Sequence, residues 1–526
     1  MPAAAQDEII AFLSTPAAYG AAGVVQRIDT HVSALFLADE RAYKLKRAVR
    51  LPFLDFSTLA AREAACRAEL AVNRRTAPTL YLGLAAVVRR ADGGLALAGE
   101  DDPGPVVDWL VVMRRFGQDG LFDRLAPAGA IPREEAEALA DGIAAFHEAA
   151  PPRPGWGGAA GLARTLESNH ACFLDHAAEG TFGHDAVRDL MAQSRASLAA
   201  QAALLDRRRD QGLVRHCHGD LHLGNICRFE GRPLLFDAIE FNEEFAFIDV
   251  LYDLAFLLMD LWARGLRDLA SWIFNRYLEN RPDLEGLAAL PLMLSMRAAI
   301  RAHISAEMAR GAAAAEAEAL RARAHRYFSL ARRFLAPPPP RLVAVGGFSG
   351  SGKSRLARDL APLLGAAPGA VVLRTDVIRK RLAGVETLTR LPPEGYSAEM
   401  SARTYAGQAA LAARALAAGQ AVVADAVFAA PAQRAGIEAA AAQAGVPFDG
   451  LWLEADPAVM RRRIEGRKRN ASDATAAVLE RQLAQGPGPL AWRRQDSSGS
   501  KAETFNNALG KLGLSVADAE GHNEVG

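Results

Sequence analysis

Two short stretches combine residue types and spacings that do chemistry. The first is GGFSGSGKS, in which Gly347, Gly352, Lys353 and Ser354 match the phosphate loop GxxxxGK(S/T). By composition alone such a match arises roughly 0.05 times in a chain of this length, so chance is a poor explanation. Glycine lets backbone N–H groups close on a phosphate with no side chain in the way, and the helix that follows adds the positive end of its dipole. Gly347, Ser349, Gly350, Ser351 and Gly352 are the expected cradle of a nucleotide. Lys353 is placed for the β- and γ-phosphates and Ser354 for Mg²⁺.

The second stretch, VRHCHGDLHLGNIC, spans Val214 to Cys227 and contains HGDLHLGN. Its spacing is that of an HxDxxxxN catalytic loop: Asp220 accepts or orients a hydroxyl proton, and Asn225, five residues on, is a ligand for Mg²⁺. LLFDAIEF then offers a second metal carboxylate, Asp237, twelve residues after Asn225. The same template needs a lysine on a small-lobe strand, paired with a helix glutamate. Lys44 and Lys46 in RAYKLKR are the only lysines before residue 353, and Glu69 is the best partner in the helix that follows. Strand alternation puts both lysines on one face; Lys44 ranks first. A metal site from His216, Cys217, His218, His222 and Cys227 competes for the loop, but those ligands do not fall into a zinc spacing.

Further candidates follow the phosphate loop. Asp425 ends the apolar run AVVAD, where an acidic residue acts on the Mg²⁺ shell. RTDVIRKRL puts Asp376 and Arg379 at the carboxyl edge of a neighbouring strand, where open α/β sheets bind ligands. Asp456 and Pro457 open a helix whose arginines include Arg461 and Arg467. This region resembles P-loop kinases of the polynucleotide-kinase and gluconate-kinase kind. The resemblance implies that Asp376 takes the acceptor proton and that Arg379, Arg461 and Arg467 close on the transferring group.

Residues of about 25 to 330 resemble the aminoglycoside phosphotransferase family, which shares the protein-kinase fold and phosphorylates small-molecule hydroxyls. Asp253 in DVLYDLAFLLMD matches the aspartate that braces the catalytic loop there, and Phe146–His147 resembles the end of a helix in that family. No GxGxxG precedes Lys44; the hairpin carries Thr30, His31 and Ser33 instead. The whole chain resembles bacterial two-domain proteins that join such a domain to a P-loop ATP-binding domain. The resemblance implies ATP and Mg²⁺ at both sites and small-molecule hydroxyl acceptors. Two alternatives stay open: one domain, more readily the N-terminal one, senses nucleotide without transfer, or the C-terminal domain phosphorylates nucleic-acid 5′ ends.

Positioning these residues requires two architectures. The four prolines Pro337 to Pro340 form a stiff linker between residues 1–336 and 341–515, with a loose tail at 516–526. Upstream, residues 24–49 read as a strand hairpin turning at Asp39–Glu40, 57–73 as a helix and 106–116 as a strand. From 131 to 335 the spacing is helical apart from 215–248. This is the small β lobe and helical lobe of a protein-kinase-like α+β domain. Downstream, apolar runs at 341–345, 370–374, 421–424 and 448–453 alternate with helices, the pattern of a parallel α/β sheet in a P-loop domain.

Sixty-one basic and 61 acidic side chains leave no net charge, which disfavours a nucleic-acid binder. Four cysteines without a CxxC pair, no signal-like N-terminus and no apolar run near 18 residues predict a cytoplasmic chain with no membrane span. Oligomeric state leaves no trace in the sequence.

Overall fold

The computed structural model describes residues 3–21, 23–51, 54–101, 104–466 and 471–514. Arg467 and the 516–526 tail therefore lie outside the described residues. The chain divides into two compact units: residues 1–161 with 206–257, and residues 162–205 with 258–526.

The first unit is built on an antiparallel sheet of six strands: β1 (Gln26–Asp29), β2 (Ser33–Ala38), β3 (Arg41–Lys46), β4 (Tyr81–Arg89), β5 (Leu95–Gly99) and β6 (Val106–Arg114). Their order is β1-β2-β3-β6-β4-β5. The β2–β3 hairpin turns at Asp39–Glu40 as the sequence predicts, with Asp39 left-handed at φ 46°, a conformation aspartate tolerates. Lys44 pairs in register with Leu35 on one side and Val111 on the other, so β3 is internal and its lysines are not edge-strand gatekeepers. The helix Leu59–Asn73 starts where the Thr58 hydroxyl accepts the Ala61 N–H. Its buried face carries Cys66 and Glu69 toward the sheet.

Two short antiparallel ribbons hold the HGDLHLGN loop: Val214–His216 with Phe247–Asp249, and Ile226–Phe229 with Arg232–Leu235. The second delivers the chain to Asp237.

In the second unit, helices Arg267–Asn280, Leu290–Arg310 and Ala314–Phe334 pack with a five-stranded sheet domain. Residues 285–310 are long and apolar enough to cross a membrane by length and composition, which the sequence reading did not anticipate. Two thirds of that window is buried, and its helix packs along Ala314–Phe334. The sheet runs β8-β9-β7-β10-β11, all parallel, with β7 (Leu342–Gly347) flanked by β9 (Val422–Asp425) and β10 (Phe448–Glu454). The other two are β8 (Val371–Arg374) and the edge strand β11 (Arg493–Asp496). The central strands are buried on both faces, as their unbroken apolar runs require. Ser500 and Glu503 form a capping box at the start of the last helix, Lys501–Leu512.

Candidate functional site

In the first unit the residues singled out from three separate stretches converge. The Lys44 ammonium donates to Glu69 Oε1 at 2.8 Å and to Asp237 Oδ1 at 2.5 Å. Lys46, on the same face, pairs with Glu69 Oε2 and Glu240 Oε1, and its side chain is closed off from solvent. The carboxylate of Asp237 is the most open member of the group, at 42% exposure. The two lysines thus differ in a way alternation cannot reveal: Lys44 reaches the open carboxylate and Lys46 a buried one. Asp237 itself is left-handed at φ 61°. The loop that holds it is tied down by Tyr81, whose hydroxyl accepts the Asp237 N–H, and by Asn73, whose Oδ1 accepts the Ala238 N–H at 2.8 Å.

Burial works against the charge on Lys44, but Asp237 and Glu69 outweigh it and hold its pKa well above the ordinary lysine value. Burial likewise pushes Glu69 upward, and Lys44 and Lys46 overcome it to leave Glu69 at about 2. Because its folded pKa is depressed, Glu69 contributes stability that is present above 4.5 and lost as the pH falls toward 2. Glu240 moves the other way, its burial outweighing the pull of Lys46. Replacing Glu69 by Gln leaves two buried ammonium groups short of a carboxylate. Denaturant unfolding at neutral pH should show a loss of about 3–5 kcal/mol.

Asp220 and Asn225 are brought together as the motif requires: Asn225 Nδ2 donates to both the Asp220 carbonyl and Asp220 Oδ2, each at 2.9 Å. His222 Nε2 lies 3.4 Å from the same carboxylate oxygen. The loop backbone is held from behind by Asp253, which accepts the N–H groups of His218 at 3.0 Å and Gly219 at 2.9 Å. His147 Nε2 stands 3.1 Å from Asp253 Oδ2, both side chains fully buried. His147 is therefore part of the brace behind the loop. Cys217 lies close to His147 and Asp253, but the carboxylate of that trio is already committed to two backbone donors.

In the second unit Gly347, Gly350 and Gly352 all take positive φ, at 139°, 86° and 94°. A Cβ on Gly350 would lie 2.5 Å from the Met460 carbonyl. Gly350→Ala therefore costs about 1–3 kcal/mol of strain, and nucleotide binding at this loop should weaken about ten- to hundredfold by titration calorimetry. The loop opens on a cavity of about 260 Å³ lined by Gly350 to Ser354 together with Arg358, Arg463 and Lys501. Ser349 offers its N–H to Gln482 Oε1 at 2.9 Å, so a side chain from the helix Ala476–Gln485 already sits on one cradle donor. Ser497 donates to the Ser351 carbonyl at 2.8 Å. Neither Gln482 nor Ser497 belongs to any motif, and no sequence signal singles them out.

Asp425 closes β9 beside β7, buried, with Arg374 Nε 3.5 Å from its Oδ2 and no donor on its Oδ1 among the described residues. Asp376 is in the first turn of the helix Thr375–Leu382, half-buried. Arg379 is buried and spoken for: its Nη1 donates to the Gly395 carbonyl at 3.1 Å and its guanidinium lies 5.0 Å from the Tyr396 ring. Arg461 pairs with Glu480 at 2.7 Å on an exposed face. Arg463, two residues on, turns inward instead, donating to the Ser497 carbonyl at 2.8 Å while lining the phosphate-loop cavity. The helix turns Arg461 and Arg463, two positions apart, to different partners, and spacing alone does not tell which one faces the loop.

The model of the phosphotransferase enzyme family matches residues 34–290, and that of an AAA domain matches residues 342–489. An uncharacterized protein of Mycobacterium tuberculosis strain H37Rv is 30% identical over 489 residues, covering 91% of this chain and 94% of its own; a protein of Mycobacterium bovis matches equally. The chain belongs to the phosphotransferase enzyme family. This phosphotransferase carries its AAA domain behind the first match, and both parts are of ATP-dependent kinase type. Among solved structures it is similar to a choline/ethanolamine kinase family protein from Mesorhizobium loti, at 16% identity, 63% of this chain, 98% of that one and TM-score 0.37. It is also similar to a gluconokinase from Sinorhizobium meliloti, at 21% identity, 33% of this chain, 92% of that one and TM-score 0.24. The phosphotransferase has the fold class expected from its sequence, a kinase-like domain followed by a parallel P-loop sheet.

Proposed function

We propose that the chain is a bifunctional phosphotransferase whose two domains, 1–336 and 341–515 joined by Pro337 to Pro340, each pass the ATP γ-phosphoryl group to a hydroxyl of a small molecule. The observation that carries this reading is the meeting of Lys44, Glu69 and Asp237 in one cluster, from a strand, a helix and a loop far apart in the chain. In the N-terminal domain Lys44 holds the nucleotide phosphates, Asp220 orients the acceptor hydroxyl and takes its proton, and Glu69 keeps Lys44 in place. In the C-terminal domain the backbone of Gly347 to Gly352 and Lys353 hold the phosphates, and Asp376 receives the acceptor. Arg463 supports the transferring charge from the side on which Arg461 is absent. Catalysis of this kind is positioning plus charge stabilisation.

The oxygen donors fit a hard divalent cation: the amide oxygen of Asn225 with Asp237, and the hydroxyl of Ser354 with Asp425, whose Oδ1 is buried without a donor. Mg²⁺ held there neutralises charge on the phosphates. Burial pushes the thiols of Cys66 and Cys227 up to about 12, so neither is a thiolate at neutral pH.

One observation favours a second reading, nucleotide sensing without transfer by the N-terminal domain. In the β1–β2 turn, where a glycine loop would cover phosphate, the Thr30 N–H donates to the Ser33 carbonyl and the Ser33 N–H to Thr30 Oγ1. Those donors are committed within the turn. Titration of the full chain with Mg·ATP tests bifunctionality: at least two nucleotides per chain are expected, and fewer than two would overturn it.

A further inference from the structure

The second unit contains a cavity of about 680 Å³ that neither proposed transfer site uses. Its walls come from the chain just after the helix Val250–Ala263 and from helices Arg267–Asn280, Leu290–Arg310 and Ala314–Phe334. Arg264, Arg267, Arg301, Arg323, Arg326 and Arg333 line it, and no aspartate or glutamate is among the residues that do. Arg264 pairs with Asp260 at 3.1 Å. Arg323 settles for neutral partners, the Ser305 hydroxyl at 3.0 Å and the Met308 sulfur at 3.5 Å.

Arg267 decides what the cavity is for. It is 7% exposed, and its Nε and Nη1 have no hydrogen-bond acceptor among the described residues. Its guanidinium lies over the Trp262 ring at 4.6 Å. Burial, reinforced by Arg333, lowers its pKa to about 10. A buried guanidinium with unmet donors, surrounded by like charge, is costly unless an anion completes it. Guanidinium forks match phosphate oxygens two at a time, and a cavity of this volume takes a ligand larger than one phosphate. Trp262 and Tyr327 each already have a guanidinium on one ring face, from Arg267 and Arg301, so the walls recognise charge before they recognise a ring.

We propose that this arginine cavity binds a small molecule bearing a polyphosphate chain, at a site separate from both proposed transfer sites. The chain is either inorganic or the polyphosphate of a nucleotide.

The test is calorimetric titration of full-length Lys353→Ala, whose phosphate loop has lost its point charge, with inorganic tripolyphosphate, the affinity being compared with and without substitutions in the arginine cavity. Binding is expected, and adding Arg326→Gln and Arg333→Gln should weaken it at least about tenfold. Both of these arginines are exposed, so the double substitution leaves the packed core untouched. Arg267→Gln in the same background should do the same, with its thermal unfolding confirming a folded chain. Displacement of tripolyphosphate by ATP assigns the site to a nucleotide, and failure of ATP to displace it assigns the site to free polyphosphate. No binding to Lys353→Ala, or unchanged affinity in the Arg326/Arg333 variant, overturns the proposal.

Discussion

Asp220→Asn is expected to lower phosphoryl transfer by the N-terminal domain about 10²- to 10⁴-fold while ATP turnover at the phosphate loop stays at the wild-type level. The substitution is nearly isosteric. It leaves an oxygen to accept from Asn225 Nδ2, now 2.9 Å from Asp220 Oδ2, and it does not touch the backbone that Asp253 holds. What it removes is the negative oxygen that orients and deprotonates an acceptor hydroxyl. Nucleotide binding through Lys44 and Asp237 should therefore survive with little change, because neither depends on Asp220 for its partners. Labelled ATP supplied with a metabolite extract, run on wild type and variant, reads both quantities: products that vanish belong to the N-terminal site. Products that persist unchanged in Asp220→Asn, with those of the phosphate loop separately removed, would sink the role given to Asp220. The sensing alternative makes the opposite forecast, since under it there is no N-terminal product to lose.

The parts of this picture legible in the sequence are those that fixed spacing enforces. GGFSGSGKS and HGDLHLGN are local, so the geometry of each loop follows from its own residues. Lys44, Glu69 and Asp237 are distant, and only a template for their meeting links them; once the meeting is assumed, scarcity of lysine narrows the candidates to two. The choice between the two was not legible. It depends on Asp237 and Glu240, three residues apart on a loop, one ending in the open and the other buried against Lys46. Edge elements escaped for a related reason. β5 and β11 lie at sheet margins, and RRQD in β11 buries only Gln495, so no apolar run marks it. The segment 285–310 shows the converse: an apolar helix that passes for a membrane span takes its composition from being packed inside helices on several sides. Gln482 and Arg463 reach the phosphate loop only because the helices at 457–465 and 476–485 fold back over it, a tertiary fact that no motif encodes.

Lys353→Ala is the counterpart for the C-terminal domain, with an expected loss of about 10²- to 10³-fold in the rate of transfer at that site, as when one preorganised charge-stabilising donor is removed. The effect should fall on kcat more than on KM. Arg463, Arg358 and Lys501 line the same cavity and keep it cationic after the lysine is gone, and the glycine backbone that cradles the phosphates is unaltered. Ground-state attraction for a polyanion is therefore retained in large part, while the point charge expected on the β- and γ-phosphates, where negative charge builds as the bond breaks, is absent. Lys353→Arg separates this from a general need for positive charge. A planar guanidinium is a fork, not a compact ammonium, and in a loop this closely confined it should restore binding better than rate. Full recovery of kcat by arginine would mean that Lys353 serves only as one more cation in an arginine-rich chain, and the phosphate loop would then lose its assigned role in transfer. N-terminal products, measured in the same reaction, should be unaffected by either substitution, which ties the loss to this domain and not to the fold of the chain.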